Sequence, residues 1–334
     1  MFSALIRVLS ILALSVSQFS GICEATCGQS YFKPYLLTED VGQNRINNGV
    51  DARKHSHPWQ ALVIVYFGQM LKKCGGSLID WNNSNASDLV VTAAHCLIHR
   101  QGLQANYKLR EEIKFYYKRW RTKDKYAGIP IVHASQVRVF LGVHDISAMD
   151  ENVEQLKVTE LTTGLYHLYN KREDVAILKL ERRVAYNKFI QGICLPSPNE
   201  KLPPGKYPCF VTGWGILDAN ETSAERLQQI IIDILRPSRC PYLTNRKTML
   251  CAGSNTREIG ICKGDSGGPL TCYRDNSFIL YGIVSFSRKG ACSSRKNPTV
   301  FAKVSAFLEW MKAEINHLDA LAEADKQKLK NAQR

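Results

Sequence analysis

The chain has 334 residues and a formal net charge of +14 at pH 7, with 44 Lys and Arg against 30 Asp and Glu. This length suits one large all-β domain or two smaller domains. The basic residues show neither a zinc-finger spacing nor an aromatic RNA-binding signature, so the charge does not predict a nucleic-acid partner. An anionic glycan or cell surface is one explanation of the charge, and simple solubility is the other.

The N-terminus predicts a cleaved secretory signal over residues 1–20, with cleavage between positions 20 and 25. Arg7 precedes a short, mostly apolar run, Val8–Val16, and small residues follow it. This run is too short to span a bilayer, and no other stretch approaches about 18 uninterrupted apolar residues. We therefore expect an extracellular protein without a membrane span.

The chain has 11 cysteines, which together with a secretory signal predict an oxidising compartment and a disulfide framework. The odd number leaves one cysteine over, and Cys23 beside the signal is the best candidate. Three Asn-X-Ser/Thr sequons, at Asn82, Asn85 and Asn220, fit the same compartment. They mark predicted glycosylated surface loops.

Short β-branched and aromatic runs, separated by Gly, Asn, Asp and Pro, predict an all-β sandwich or barrel. The runs lie at 61–79, at 137–141 and around Val211, Ile230 and Ile279. Helical periodicity is found at the C-terminus, where five apolar residues recur at spacings of three and four. These are Phe307, Met311, Ile315, Leu318 and Ala322. We expect the first turns of this helix to pack on the barrel, and the part of the charged extension 317–334 that follows Leu321 to fray or to form a solvated helix.

Residues 97–127 are predicted to be a basic, aromatic insertion. Nine lysines and arginines crowd around Phe115, Tyr116, Tyr117 and Trp120. An arm that binds an anionic glycan fits this pattern, and so does a solvated loop whose aromatic residues pack locally.

Three motifs that are far apart in the chain carry the residues for nucleophilic catalysis. VVTAAHC, residues 90–96, contains His95; EDVAILKL, residues 173–180, contains Asp174; GDSGGP contains Ser266. A serine hydroxyl needs a neighbouring base to become a nucleophile, and histidine suits this role. A buried carboxylate then fixes the tautomer of the ring and stabilises the imidazolium. The three residues predict acyl transfer.

The glycines around the serine predict an oxyanion hole. Gly264 has no side chain, so the backbone can turn and direct the N–H groups of Gly264 and Ser266 to one point. Two such donors stabilise the oxyanion of a tetrahedral intermediate.

The three motifs, together with TGWG at 212–215, resemble those of the trypsin-like serine peptidases of the chymotrypsin fold, over about residues 45–315. The resemblance implies two six-stranded antiparallel β-barrels with the triad in the cleft between them. It also implies a secreted serine endopeptidase that acts on a protein or peptide substrate, needs no cofactor and is controlled by protein inhibitors. The sequence shows no cluster of metal ligands.

The resemblance also pairs ten of the cysteines. The implied disulfides are Cys27–Cys194, Cys74–Cys96, Cys209–Cys272, Cys240–Cys251 and Cys262–Cys292. Cys23 is then unpaired. The first disulfide would tie a propeptide, residues 21–45, to a peptidase domain, residues 46–316.

Zymogen activation follows from the same resemblance. An activating protease would cut after Arg45, and the freed α-amino group of Ile46 would pair with Asp265 and order the pocket. The family pattern Ile-Val-Gly-Gly reads Ile46-Asn47-Asn48-Gly49 in this chain. Asparagine tolerates the positive φ that glycine often supplies, so we expect the turn to be retained.

The specificity pocket is predicted to lack a charge. Trypsin-type members have an aspartate six residues before the nucleophile, whereas this chain has Gly260 followed by Ile261. A strong preference for Arg or Lys is therefore not expected. Glu258 would restore such a preference only if its loop shifted.

Two wall positions that are commonly glycine carry side chains here, namely Ser287 in the segment Ser285-Phe286-Ser287, and Thr299. They should narrow the pocket, so we predict cleavage after small or medium apolar residues, with an aromatic preference as the alternative. The preference should be graded, because one methylene contributes only about 1–3 kcal/mol to discrimination. Lys263 at the rim and the basic insertion favour acidic residues or anionic surfaces elsewhere on the substrate.

A second function belongs to a different class. Some proteins keep a protease fold without turnover and use it to bind glycans or cell surfaces. The substitutions at Asn47, Asn48 and Ser287 keep this alternative open, whereas the complete triad argues against it.

Overall fold

The computed structural model describes residues 27–36, 49–98, 131–164, 166, 171–198, 200, 207–217, 220–240, 242–254, 260–287 and 292–332. The predicted secretory signal, most of the basic insertion, Arg45, Ile46 and Glu258 lie outside these residues.

Six antiparallel strands form the first closed barrel, in the spatial order β2-β3-β4-β7-β6-β5. The strands are β2 (Gln60–Phe67), β3 (Met70–Leu78), β4 (Ala86–Thr92), β5 (Val137–Leu141), β6 (Glu154–Thr163) and β7 (Ala176–Ala185). Period-two burial explains why these segments are strands: in β5, Val137, Val139 and Leu141 are buried while Arg138 and Phe140 are less so. The β-branched residues of the sequence therefore fill this barrel.

The second barrel is closed by six further strands, in the order β8-β9-β10-β13-β12-β11, with β11 returning to β8. They are β8 (Cys209–Gly213), β9 (Gln228–Ile234), β10 (Met249–Gly253), β11 (Pro269–Arg274), β12 (Ser277–Ser287) and β13 (Thr299–Lys303). A two-residue strand, β1 (Val50–Asp51), pairs with β9 from outside the ring. The predicted fold of two six-stranded antiparallel barrels is confirmed.

Hydrogen bonds tie the two barrels together close to the predicted nucleophile. The Thr212 hydroxyl in the second barrel donates to Gln60 Oε1 in the first barrel at 2.6 Å. The N–H of Gly75 on β3 donates to the carbonyl of Ser266 at 2.8 Å, and Thr92 Oγ1 donates to the carbonyl of Gly75 at 2.7 Å. The GDSGGP segment is therefore fixed at the interface of the barrels.

Five disulfides join the same pairs that the family resemblance implied. Cys27–Cys194 holds an N-terminal segment, residues 27–36, against the barrels. The N–H of Gly28 donates to the carbonyl of Gly192 at 2.7 Å, and Gln229 Nε2 donates to the carbonyl of Tyr35 at 2.8 Å. This part of the predicted propeptide is integrated into the fold.

The C-terminal helix α1 runs from Leu308 to Ala332. Met311, Ile315 and Leu318 are buried against the first barrel, as the periodicity predicted. Asp319 forms an ion pair with Lys179 on β7 at 2.6 Å. The part of the helix that contacts the first barrel therefore continues past residue 316. No helix in the described part of the chain is long and apolar enough to cross a membrane.

Candidate active site

His95 and Asp174 are in direct contact at the centre of the molecule. His95 lies in a short 3-10 turn, Ala94–Leu97, after β4, and Asp174 lies two residues before β7, which pairs with β4. His95 Nδ1 is 2.7 Å from Asp174 Oδ2, and the backbone N–H of His95 donates to Asp174 Oδ1 at 2.9 Å. Both carboxylate oxygens therefore hold the histidine.

A third donor reaches Asp174 from the other barrel. The hydroxyl of Ser285 on β12 donates to Asp174 Oδ2. Asp174 is almost completely buried. Burial raises the pKa of Asp174, but the charge of His95 and the hydrogen bonds from His95 and Ser285 outweigh it, so the pKa of Asp174 is lowered. Asp174 is thus an ionised, fully bonded carboxylate, and this explains where the predicted pocket residue Ser285 directs its hydroxyl.

Ser266 and His95 line one cleft of about 640 Å³. The residues after Ser266 are held by the second barrel, where the N–H of Gly267 donates to the carbonyl of Val284 and the N–H of Val284 donates to the carbonyl of Gly268. Ser266 itself is held by the first barrel through Gly75. The structure therefore brings the three predicted triad residues to one place from three distant segments.

Gly264 has a backbone conformation that requires glycine. Its φ is +99°, and a Cβ at this position would come within 2.9 Å of Gly215 Cα. Gly264 lines the same cleft as Ser266. The local backbone is therefore consistent with a turn that exposes main-chain N–H groups beside the serine.

Asp265 points away from the cleft into the protein. Its carboxylate accepts the N–H of Gly215 on Oδ1 and the N–H of Cys262 on Oδ2, both at 2.9 Å. Burial raises the pKa of Asp265 to about 6, although these two N–H groups and the charge of Lys73 oppose the rise. The predicted partner of Asp265, the α-amino group of Ile46, lies outside the described residues.

The predicted wall of the specificity pocket forms between β12 and β13. Ser287 pairs with Thr299 in the sheet, and their hydroxyl oxygens are 3.2 Å apart. Both side chains are buried and line the cleft, together with Phe286 and Ile261. Ile261 is fixed by the hydroxyl of Ser293, which accepts its N–H at 2.7 Å. Gly260 directly precedes Ile261 in the chain.

Three lysines of the cleft were not singled out in the sequence, namely Lys72, Lys73 and Lys171. Lys263, which the sequence analysis did single out, is exposed and forms an ion pair with Glu221 at 2.6 Å. Lys72 and Lys73 are followed in β3 by Cys74 and the pair Gly75-Gly76. Nothing in this local pattern indicates that the two lysines line a cleft. Only the packing of one barrel on the other places them there.

Comparisons with known proteins agree with this geometry. The sequence model of the Trypsin family matches residues 46–127 and 130–311. Chymotrypsin-C of Rattus norvegicus is 35% identical over 306 residues, which cover 88% of this chain and 95% of that protein. Chymotrypsin-like elastase family member 3B of Homo sapiens is 32% identical over 287 residues, covering 81% and 89%. Proproteinase E of Bos taurus is 31% identical over 280 residues, covering 80% and 94%.

The fold and the cleft are those of a serine endopeptidase, a hydrolase. The chain belongs to the Trypsin family, whose model covers most of its length. These similarities do not favour the alternative of a glycan-binding protein without turnover.

Proposed function

We propose that this protein is a secreted serine endopeptidase, made as a zymogen, that hydrolyses peptide bonds through Ser266, His95 and Asp174. One observation carries the proposal: His95 Nδ1 lies 2.7 Å from an almost fully buried Asp174 carboxylate, in a cleft that Ser266 also lines. A protein or peptide is the substrate, and an activating protease is the first partner.

The chemistry follows from these contacts. Because Asp174 is ionised, it accepts the Nδ1–H of His95 and leaves Nε2 without a proton. Nε2 takes the proton of Ser266 as its Oγ attacks the carbonyl carbon of the substrate. The same nitrogen then gives this proton to the leaving amine, and an acyl-enzyme remains. Water attacks the acyl group by the reverse transfers and restores the Ser266 hydroxyl.

The N–H groups of Gly264 and Ser266 bind the oxyanion. The positive φ of Gly264 supports this role, because a residue with a Cβ would strain the turn and contact Gly215. Removal of one such donor lowers kcat by about 10²- to 10³-fold.

Activation begins with a cut after Arg45. The α-ammonium of Ile46 then pairs with Asp265, which supplies a buried charge for it. The Cys27–Cys194 disulfide keeps the cleaved propeptide attached. The name of one relative, proproteinase E, denotes a precursor and supports a zymogen.

The enzyme prefers small or medium apolar residues before the scissile bond. The Ser287–Thr299 contact at 3.2 Å supports a narrowed pocket, and the buried Ile261 gives it an apolar surface. Two relatives carry the names of a chymotrypsin and an elastase, so the aromatic alternative stays open.

The domain organisation that we propose is a secretory signal at 1–20, a propeptide at 21–45, a peptidase domain at 46–316 and a charged extension at 317–334. Asn82, Asn85 and Asn220 are exposed, which supports glycosylation at all three positions.

The test is covalent labelling of the protein cut after Arg45 with an aryl phosphonate that carries a small apolar group. We expect one adduct, on Ser266, and turnover of a peptide with alanine or valine before the scissile bond. Ser266→Ala and the uncut chain are the matched controls. A correctly folded, cut sample that is neither labelled nor active would refute the proposal, and an absolute need for Arg or Lys would refute the pocket.

A further inference from the structure

The cleft carries one sign of charge. Among the described residues that line it are four lysines and no aspartate or glutamate. The lysines are Lys72, Lys73, Lys171 and Lys263. A cleft with charges of one sign and low-dielectric walls concentrates the electric field and attracts groups of the opposite sign.

The four ammonium groups differ in what they contact. Lys72 Nζ donates to the carbonyl of His95 at 2.7 Å, Lys171 Nζ lies 4.6 Å from the ring centre of Phe286, and Lys263 pairs with Glu221. The side-chain ammonium of Lys73 makes neither a hydrogen bond nor an ion pair with any residue that the structure describes. It is half-buried, and burial lowers its pKa while the charge of Asp265 opposes that change. Lys73 therefore carries a partly desolvated charge without a direct counterion in this part of the chain.

The position of Lys73 defines which part of a substrate it meets. It lies on β3, two residues before Gly75, whose N–H donates to the carbonyl of Ser266. Two residues of an extended strand span roughly 7 Å. The wall of the specificity pocket lies on β12 and β13 in the other barrel. When the residue before the scissile bond occupies that pocket, the scissile bond lies at Ser266. The residues after the scissile bond then continue past Ser266 toward β3. Lys73 then faces the first or second residue after the scissile bond.

The neighbouring hairpin between β2 and β3 offers apolar contacts to the same half of a peptide. Met70 and Leu71 line the cleft although they are 48% and 59% exposed. Exposed apolar side chains beside a cation fit a peptide chain better than a free anion, because a peptide supplies both apolar and acidic groups.

We propose that Lys73 forms a subsite for an aspartate or glutamate at the first or second position after the scissile bond. This inference rests on the proposed function. The substrate carboxylate supplies the counterion that the half-buried ammonium lacks among the described residues. Activation sharpens the effect, because the α-ammonium of Ile46 neutralises Asp265, the carboxylate whose charge reaches Lys73 in the described structure.

The test compares quenched peptides that are identical except for Asp or Asn, and Glu or Gln, at these two positions. For the activated protein we expect kcat/KM to be about tenfold higher for the acidic member at one of the two positions. In Lys73→Met, which keeps an apolar stem of similar length, the ratio falls to about one. Lys157→Met, an exposed lysine on β6, is the matched control and keeps the full ratio.

Two further measurements separate this inference from the proposed function. An acyl-p-nitroanilide has no residue after the scissile bond, so it measures the turnover of each variant without the proposed contact, and Lys157→Met should hydrolyse it at the wild-type rate. Ser266→Ala cannot turn over, and it should bind the acidic peptides more tightly than the neutral ones by the same ratio. A wild-type ratio near one in both turnover and binding, or a ratio that Lys73→Met leaves intact, overturns the subsite. Absence of turnover together with an acid preference in binding overturns only the proposed catalysis.

Discussion

Two buried aspartates on either side of the cleft show how differently the two barrels prepare a carboxylate. Asp174, from the first barrel, has a lowered pKa because His95 and Ser285 supply a neighbouring charge and three donors. Asp265, in the loop before β11, has a pKa raised to about 6 because burial outweighs two backbone N–H donors. Both residues are buried. The surroundings of Asp174 therefore stabilise its ionised form, whereas those of Asp265 favour its protonated form.

Asp174 thus has its partners within the described structure, whereas Asp265 has no cation paired with it among the described residues. The glycines of the TGWG motif show that the mismatch at Asp265 is built into the fold, since a Cβ at Gly213 or Gly215 would collide with the Asp265 carboxylate. The backbone thus closes tightly around a charge that lacks a direct ion pair with any described residue. An α-ammonium delivered by cleavage would supply that pair.

Removal of the charge of Asp174 should have the largest effect. Asp174→Asn keeps the size but no longer favours the Nδ1–H tautomer of His95, so we expect kcat to fall by about 10⁴-fold. Steady-state kinetics on an apolar peptide measures this loss of kcat. Circular dichroism of the variant should match the wild type, and a loss below tenfold in a folded variant would contradict the role of Asp174.

Removal of the charge of Asp265 should have a smaller effect, and only after activation. Asp265→Asn cannot pair with the α-ammonium of Ile46, so the oxyanion donors are less well ordered and kcat should fall by about 10²- to 10³-fold. Turnover of the cut variant measures the loss, and the uncut variant should match the uncut wild type. Equal activities of the cut variant and the cut wild type would show that Asp265 has no part in activation.

The raised pKa of Asp265 predicts a pH dependence of folding in the uncut chain. The group titrates near 3.8 when unfolded and at about 6 when folded, so the folded state binds the proton more tightly. Its contribution to the free energy of unfolding is therefore full below pH 4 and is lost as the pH rises to 6, by about 3 kcal/mol. Urea unfolding of wild type and Asp265→Asn gives the difference at each pH. A flat difference between pH 4 and 6 would contradict the pKa.

His57 should give the opposite slope over nearly the same range. Burial lowers its pKa from 6.5 to about 4 against a hydrogen bond with Gln229, so the unfolded state binds the proton more tightly. The contribution of His57 is full above pH 6.5 and is lost as the pH falls to 4, again by about 3 kcal/mol. The difference between wild type and His57→Gln should grow with pH. In the uncut wild type, the pH dependences of the free energy of unfolding that arise from Asp265 and His57 oppose each other. Substitution of either residue should therefore reveal the pH dependence that the other one contributes.

The smallest expected effect concerns the third donor to Asp174. Ser285→Ala removes a hydrogen bond that helps to lower the pKa of Asp174, so kcat should fall by about tenfold. The acidic limb of the pH–rate profile should shift upward, which a purely structural change would not cause. Ser293→Ala, also beside the cleft but bonded to Ile261, is the control and should leave that limb in place.

Local patterns in the sequence predict the strands, the C-terminal helix and the three central residues, whereas the arrangement in two barrels is implied by the family that the motifs resemble. VVTAAHC and EDVAILKL each carry a polar residue at the end of a buried strand, and these strands pair as β4 and β7. The helix is likewise visible as a period of three and four residues. Each of these patterns lies within a short stretch of the chain, so it can be recognised without knowledge of the tertiary contacts.

The rest depends on contacts between segments that no local pattern relates. Ser285 reaches Asp174 across 111 residues, and Lys73 enters the cleft only because β3 packs against the loop of Ser266. The two-residue strand β1 is too short to show any periodicity. The pKa of Asp265 depends on how tightly Gly213 and Gly215 enclose it, which composition does not reveal.

We expect Asp174, His95 and Ser266 to act as one unit beside two amide donors. The most direct measurement is the crystal structure of the protein cut after Arg45 and carrying the phosphonate adduct. We expect phosphorus on Ser266 Oγ, one phosphonyl oxygen within hydrogen-bond distance of the N–H groups of Gly264 and Ser266, and His95 still bonded to Asp174. An adduct on another residue, or a His95 ring that has left Asp174 and lies out of reach of Ser266, would contradict it.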